Sequence, residues 1–288
     1  MKQNIIILIP VYKSNLSDTE QISLNRCLKI LDKYPICFVT YKNLNIQAHE
    51  TICNMHKVET QKEYFDAYYF QNSLDGYNEL MLSKQFYKRF LKYTFILIYQ
   101  LDAYVFRDDI DFWCKKQYSF IGGPIFEGYI KCNKNSQYVN YMNGGVSLRK
   151  TKDIYELIKS VTKIEIFENI YENGTIIQKF KALCMIFLSM DIRKKYTHQK
   201  NEDLLISHYY LEKIEQFLNR KKFLKAVNKT IKKIQFKLPP FNETYSFCFD
   251  ENIEHLYELS NHTLPSFCHA FHTKSKRKFW SQFIDFLQ

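Results

Sequence analysis

The sequence predicts an α/β fold built on a mixed, mainly parallel sheet flanked by helices, and three observations carry that prediction. Short apolar runs rich in β-branched and aromatic residues occupy positions 5–9, 36–40 and 95–99, and runs of that length read as strands buried on both faces. Between the first two, Leu24, Cys27, Leu28 and Leu31 recur at helical spacing before Pro35 closes the segment. A strand–helix–strand opening of this kind implies a right-handed crossover and parallel pairing. The third run ends abruptly in Gln100-Leu101-Asp102-Ala103-Tyr104. Burying a carboxylate inside such a strand is costly, so Asp102 belongs at its C-terminal end, the edge at which open α/β sheets bind ligands. An acid there either holds a divalent cation or caps the turn after the strand.

In chain order, positions 5–9 form the first strand and Pro10-Val11-Tyr12 the loop leaving it. This apolar run is too short, and lacks the small-residue cleavage site, for a leader peptide. Positions 23–32 form a helix, 36–40 a strand, and 49–62 a short helix and a strand. A continuous helical pattern through Leu80, Leu82, Phe86, Phe90 and Leu91 predicts one helix over 76–92, delivering the chain into the central strand. Beyond it come a helical turn from Asp108, a strand over 118–123 ended by Gly122, Gly123 and Pro124, and a polar loop over 126–140. Gly144 and Gly145 stand out among only 7 glycines, marking a sharp turn or a close backbone approach. A helix over 153–160 follows, and the apolar stretch 180–189 is left without an assigned element. Glu202 and Asp203 open a further helix, where acids favour the helix dipole, so capping and chemistry both fit them. From 213 to 237 lysines interleave with apolar residues, a basic amphipathic segment closed by Pro239-Pro240. That pattern suits an anionic membrane surface, or a solvated face on the protein's own core.

Composition narrows the function. The chain has 288 residues, 46% of them hydrophobic and 25% charged, ordinary for a soluble globular protein with a large core. No run approaches the ~18 apolar residues of a membrane span. Eight scattered cysteines without a CxxC pair argue against a disulfide framework or zinc site and for a reduced, cytoplasmic protein. A net charge of +11 points to an anionic partner. The charge is concentrated late, and the 22 Tyr and 24 Phe fall mostly at core spacing; without a recognisable nucleic-acid motif, nucleic acid is not the expected partner.

An acid at a strand end, an acid pair at a helix start and late histidines together suit sugar transfer from a nucleotide. Asp and His would hold Mn²⁺ or Mg²⁺ against a diphosphate, and a second carboxylate would deprotonate the attacking hydroxyl. The ordered segments Ile9-Pro10-Val11-Tyr12, Gly76-Tyr77-Asn78 with Ser83-Lys84, Gln100-Leu101-Asp102, Asn143-Gly144-Gly145-Val146-Ser147, Asn201-Glu202-Asp203 and Phe267-Cys268-His269-Ala270-Phe271 strengthen that reading. In this order they resemble an uncharacterised, mostly bacterial family related to GT-A glycosyltransferases, and are similar to the milestones of fringe-like β-1,3-glycosyltransferases.

The resemblance implies a GT-A-like, Rossmann-related fold and an inverting transferase, with Mn²⁺ (or Mg²⁺) as cofactor and a UDP-sugar as the first-choice donor. By position, Asp102 matches the metal-binding last Asp of a DxD motif, and Gln100 stands where its first Asp would be. His269 matches the C-terminal metal ligand, with His272 the alternative. Asp203 matches the base, with Glu202 one residue away as the fallback. Pro10, Val11 and Tyr12 would cradle the nucleotide base, Lys84 would meet phosphate, and Asn143, Gly144 and Gly145 would shape the donor-sugar and acceptor side.

The expected organisation is a catalytic core over 1–211, its nucleotide-sugar half at about 1–125 and its acceptor half at about 126–211. The basic segment over 212–240 and a C-terminal segment, 241–288, closing the active site complete it. The expected setting is capsule or O-antigen assembly on a saccharide acceptor, polyprenyl-diphosphate-linked, with residues 213–237 holding the enzyme at the inner face of the plasma membrane. Two rivals stand beside this: a catalytically inactive GT-A fold that binds saccharide, suggested by Gln100, and a basic nucleic-acid-binding protein. A sugar nucleotidyltransferase would want a Gly-rich loop after strand one, and Ile9-Pro10-Val11-Tyr12-Lys13-Ser14 has no glycine.

Overall fold

A computed structural model describes residues 4–71, 73–190, 201–220 and 235–285. The main sheet has six strands in the order β3-β2-β1-β4-β7-β6: β1 (Ile5–Pro10), β2 (Ile36–Thr40), β3 (Thr60–Tyr64), β4 (Phe95–Tyr99), β6 (Phe120–Phe126) and β7 (Tyr138–Lys150). The first four are parallel, and β7 runs antiparallel to both β4 and β6. A mixed α/β fold with a mainly parallel sheet flanked by helices is therefore what the chain adopts. Side chains of a strand alternate between faces, and the central strands sort accordingly. Ile6, Leu8, Ile96 and Ile98 enter one buried cluster, whereas Ile5, Ile7, Phe95 and Leu97 enter another.

The second of these faces is covered by α1 (Asp18–Ile30), α2 (Gln47–Met55) and α6 (Ile110–Lys116), through Leu24, Leu28, Cys53 and Trp113. Helix α1 begins earlier than its apolar spacing suggests, because Ser17 and Glu20 form a capping box that satisfies the first amides. The first face is covered by α4 (Ser73–Met81), α5 (Lys84–Arg89), α7 (Thr151–Ile166), α8 (Ile176–Phe187) and α10 (Tyr210–Arg220). The single helix expected over 76–92 is two, because Ser83 is extended and caps α5 by accepting from the Gln85 amide. The unassigned stretch 180–189 lies largely in α8. In α10, Ile214 and Phe217 pack into the core and Lys213 pairs with Glu165 and Glu168. Its described part thus behaves as a solvated face on the protein's own core; the rest of the basic segment, 221–234, lies outside the described residues.

Gly122 and Gly123 do not end their strand as expected but sit inside β6; Gly144 and Gly145 sit inside β7, at a close approach of other groups to the backbone. Register shifts between Gly122 and Phe126 mark a bulge, where a Cβ on Gly122 would collide with the Asn143 carbonyl. A small second sheet, β5-β9-β8, joins β5 (Ala103–Val105) to β8 (Cys248–Phe249) and β9 (Phe267–His269). It packs on α11 (Phe241–Phe247), α12 (Ile253–Leu259) and α13 (Lys274–Trp280) around Phe249, Phe271 and Trp280. Antiparallel pairing of β5 with β9 sets Ala103 opposite His269. The late histidine is thereby delivered beside the turn that carries Asp102.

Candidate active site

The turn leaving β4 is fastened to β7 by a hydrogen bond from the Gln100 amide to the Gly145 carbonyl (3.0 Å). Over this junction lies the His269 ring, its Nε2 3.2 Å from Asp102 Oδ1 and 3.3 Å from Gln100 Oε1. Its Nδ1 is 3.0 Å from Asp250 Oδ1, which also receives the buried Lys276 ammonium (3.3 Å). Lys276 in turn donates to Glu251 (2.9 Å). Burial opposes a charge on His269, but the flanking carboxylates of Asp102 and Asp250 outweigh it and push its pKa up to about 10. Burial also raises Asp102, and the imidazolium more than reverses this, leaving the carboxyl below the ordinary range.

Gly145 is what admits the ring. A Cβ there would stand 2.5 Å from His269 Cδ2 and 2.7 Å from Cε1. Gly144 does the same for the acid pair: a Cβ would come within 2.6 Å of Glu202 Oε1 and 2.9 Å of Arg149 Nη2. The two acids then part company. Glu202 is buried and paired with the fully buried Arg149 guanidinium (2.8 Å), which also donates to Tyr87 and Ser147. Its own amide donates to Asn78 Oδ1 (3.0 Å). Among the described residues Asp203 forms no ion pair; Oδ2 accepts from the Gly144 amide (2.9 Å) and Oδ1 from the Leu204 amide (2.7 Å). Burial, reinforced by the neighbouring Glu202 charge, pushes the Asp203 pKa up to about 7 against those two hydrogen bonds.

Beside the Asp102 turn opens a cavity of about 710 Å³ at the C-terminal ends of β1 and β4. Pro10, Val11, Tyr12, Gln100, Asp102 and His272 all line it. Lys84 does not: it is buried at the start of α5 and donates to the Ser189 carbonyl (2.6 Å), which removes it from the expected phosphate contact. Asn143 is also turned inward, its Oδ1 accepting from the Gly145 amide (2.6 Å). The structure therefore gathers Gln100, Asp102, Gly144, Gly145, Asp203 and His269 around one dipeptide, with His272 exposed on the cavity wall.

The family model that matches the sequence, over residues 59–269, is described as a protein of unknown function, DUF5672. The chain belongs to this family. The match includes Asp102, Gly144, Gly145 and Asp203 and ends on His269. No curated protein matches the sequence. Among solved structures, the chain is similar to core-mannan synthase A of Aspergillus fumigatus in its Mn/GDP form, with a TM-score of 0.44 and 10% identity over 72% of this chain and 69% of that one. It is similar to the galactosyltransferase LgtC in complex with donor and acceptor sugar analogs (TM-score 0.44, 11% identity, 92% and 86% covered). It is also similar to mouse xyloside xylosyltransferase 1 in its apo form (TM-score 0.45, 7% identity, 93% and 97% covered). The functional reading rests on the side chains.

Several of these are absent from the expectation drawn for this DUF5672 chain. Asp250 precedes a left-handed Asn252 after a two-residue strand, and no spacing rule connects it to His269. Arg149 looks like the end of an apolar strand, yet it is the cation that removes Glu202 from service. His49 lines the cavity from α2 while remaining 1% exposed, with no hydrogen-bond partner on Nδ1. Burial holds its pKa below the ordinary range. A lone histidine on a short helix carries no signal of such a role.

Proposed function

We propose that this protein is a nucleotide-sugar-dependent glycosyltransferase, with Asp203 as the base and the Asp102–His269 pair at the donor diphosphate. The observation that supports it most is the Gly144–Gly145 dipeptide, which has the cation-binding pair packed on one residue and the half-neutralised carboxylate hydrogen-bonded to the other.

Asp102, His269 and the Gln100 side-chain oxygen Oε1 fit a divalent cation. Asp102 Oδ1 is buried and, apart from His269, accepts no hydrogen bond. Asp250 on Nδ1 holds the ring so that Nε2 faces both Asp102 and Gln100, the carboxylate–histidine arrangement that orients metal ligands. Among the described residues no three His, Cys, Asp or Glu side chains are grouped to hold a metal, and Gln100 Oε1 would supply the third donor. Mn²⁺ or Mg²⁺ held there would neutralise the leaving diphosphate.

The protein's own residues do the rest. An acceptor hydroxyl placed over Gly144 loses its proton to Asp203 as its oxygen bonds the anomeric carbon, and the bond from that carbon to the diphosphate oxygen breaks. A carboxylate poised near pH 7 suits this proton transfer, and attack opposite the leaving group inverts the anomeric centre. The backbone amides of Gly144 and Leu204 fix both Asp203 oxygens, and Glu202, tied to Arg149, supports the helix start.

The test is turnover of a nucleotide-sugar panel, UDP-sugars first, by wild type, Asp203→Asn and Asp102→Ala. Donor consumption abolished in both variants supports the reading. Nucleotide binding with no turnover, unchanged in Asp203→Asn, would instead favour a saccharide-binding protein.

A further inference from the structure

Helix α8 carries an anomaly away from the site. Its Ala182 and Ile186 are buried in the main core, yet Ile176, Ile177, Phe180, Phe187 and Leu188 on the other side are between 56% and 87% exposed. Positions 176, 180 and 187 recur at helical spacing, with 177 and 188 alongside, so these side chains form one continuous outward strip. A helix apolar on both sides is normally buried or spans a membrane. At 12 residues α8 is too short to span, and no helix among the described residues is long and apolar enough to cross a membrane. Its register is set firmly, since Thr175 and Gln178 form a capping box at its start. The outward strip is therefore a fixed feature of the fold, and contiguous apolar surface of this size marks an interaction face.

We propose that this face of α8 docks on an anionic lipid surface. Three features favour lipid as the occupant. The exposed side chains are large and aliphatic or aromatic, suited to insertion below the headgroups. Lys179 and Lys181 lie on the same helix, which carries no acidic residue. Basic residues on an interfacial helix each add attraction to acidic headgroups. The chain as a whole carries +11, which opposes close approach of a second copy and favours an anionic partner. This inference does not depend on the glycosyltransferase reading, because none of its residues lines the cavity.

The experiment is co-sedimentation of the full chain with vesicles of phosphatidylglycerol in phosphatidylcholine, and with phosphatidylcholine alone. It is run on wild type and on Phe180→Asp/Phe187→Asp, whose side chains already face water. The expected result is binding to the anionic vesicles that weakens at least tenfold in the variant and at high salt, with the wild-type melting temperature retained. Equal binding by wild type and variant, or no binding by wild type, overturns the proposal. Analytical ultracentrifugation and thermal melting without lipid identify what covers the face in that event. A dimer dispersed by the variant assigns it to a second copy. A melting temperature several degrees lower in the variant assigns it to the protein's own chain.

Discussion

Replacing Gly145 by alanine tests the centre of the site with one methyl group. The added carbon would lie 2.5 Å from His269 Cδ2, where ordinary contact begins at 3.4 Å. Nε2 is nearer still, so ring and strand must separate by more than about 0.9 Å. The strand has little room to give, because Gly145 is bonded to Gln100 through its carbonyl and to Asn143 through its amide. The ring must move, and it is held at 3.0–3.3 Å by Asp250, Asp102 and Gln100. Overpacking of a filled site costs about 1–3 kcal/mol, which for a chain of this size lowers Tm by roughly 2–10 °C. The larger effect falls on the ligand. Loss of a supporting contact at a metal-binding histidine costs about 10–100-fold in metal affinity, so Mn²⁺-dependent nucleotide binding by calorimetry should weaken by that factor. The measurement is made on folded protein, confirmed by circular dichroism. A Gly145→Ala protein that melts and binds Mn²⁺ and nucleotide as wild type does would refute the packing of His269 against this glycine.

Other perturbations separate the remaining roles. Asp203→Asn should lower turnover by about 10²–10⁴-fold while leaving the nucleotide Kd within twofold, measured by single-turnover kinetics and calorimetry. Because the Asp203 carboxyl is held up at about 7 and the base must be ionised, log kcat/KM should rise with unit slope from pH 5 to 7 and level off above; a flat profile over that range would remove Asp203 as the base. Arg149→Ala strands the buried Glu202 carboxylate without its cation and should cost about 3–5 kcal/mol of stability, read by urea unfolding, with Glu202→Gln milder. His49→Phe keeps the edge contact with Phe38 (centroids 5.8 Å) but removes the imidazole nitrogens from the cavity. Folding should be unaffected, and the preference among nucleoside diphosphates should shrink by about 5–10-fold, the worth of one lost hydrogen bond of about 1 kcal/mol.

The architecture was legible wherever a strand is buried on both faces. At 5–9, 36–40 and 95–99 the apolar run itself is the signal, because both faces of the strand are buried. Legibility failed where local chemistry overrides periodicity. Ser83 interrupts an apolar pattern that continues unchanged in the sequence, so the break is visible only in its cap. Gly144 and Gly145 were noticed for their rarity, but glycines in a strand and glycines in a loop look alike until the groups that crowd them are known. In the site, Asp102, Asp203 and His269 lie around one Gly-Gly dipeptide, each next to an element boundary. Lys84 was given to phosphate from the resemblance, inside a helix read as continuous, whereas it reaches the Ser189 carbonyl, 105 residues away.

The sheet order explains why the dipeptide gathers the site. Parallel strands β1 and β4 end together, and the segments leaving them, through Tyr12 and Gln100, open on the cavity. Beyond β4 the next strand is antiparallel, so β7 runs alongside the β4 exit in mid-strand, with continuous backbone where a parallel neighbour would have stopped. Ordinary side chains there would fill the space above the sheet edge. Two glycines keep it open, and two distant segments occupy it: β9, brought in by pairing with β5, and the helix start at Glu202, tied to β7 through Arg149. Each brings one chemical group, a histidine fixed by Asp250 and a carboxylate raised by burial. Adding a side chain at either glycine should thus disturb one group and spare the other: Gly145→Ala the Asp102–His269 pair, Gly144→Ala the acid pair.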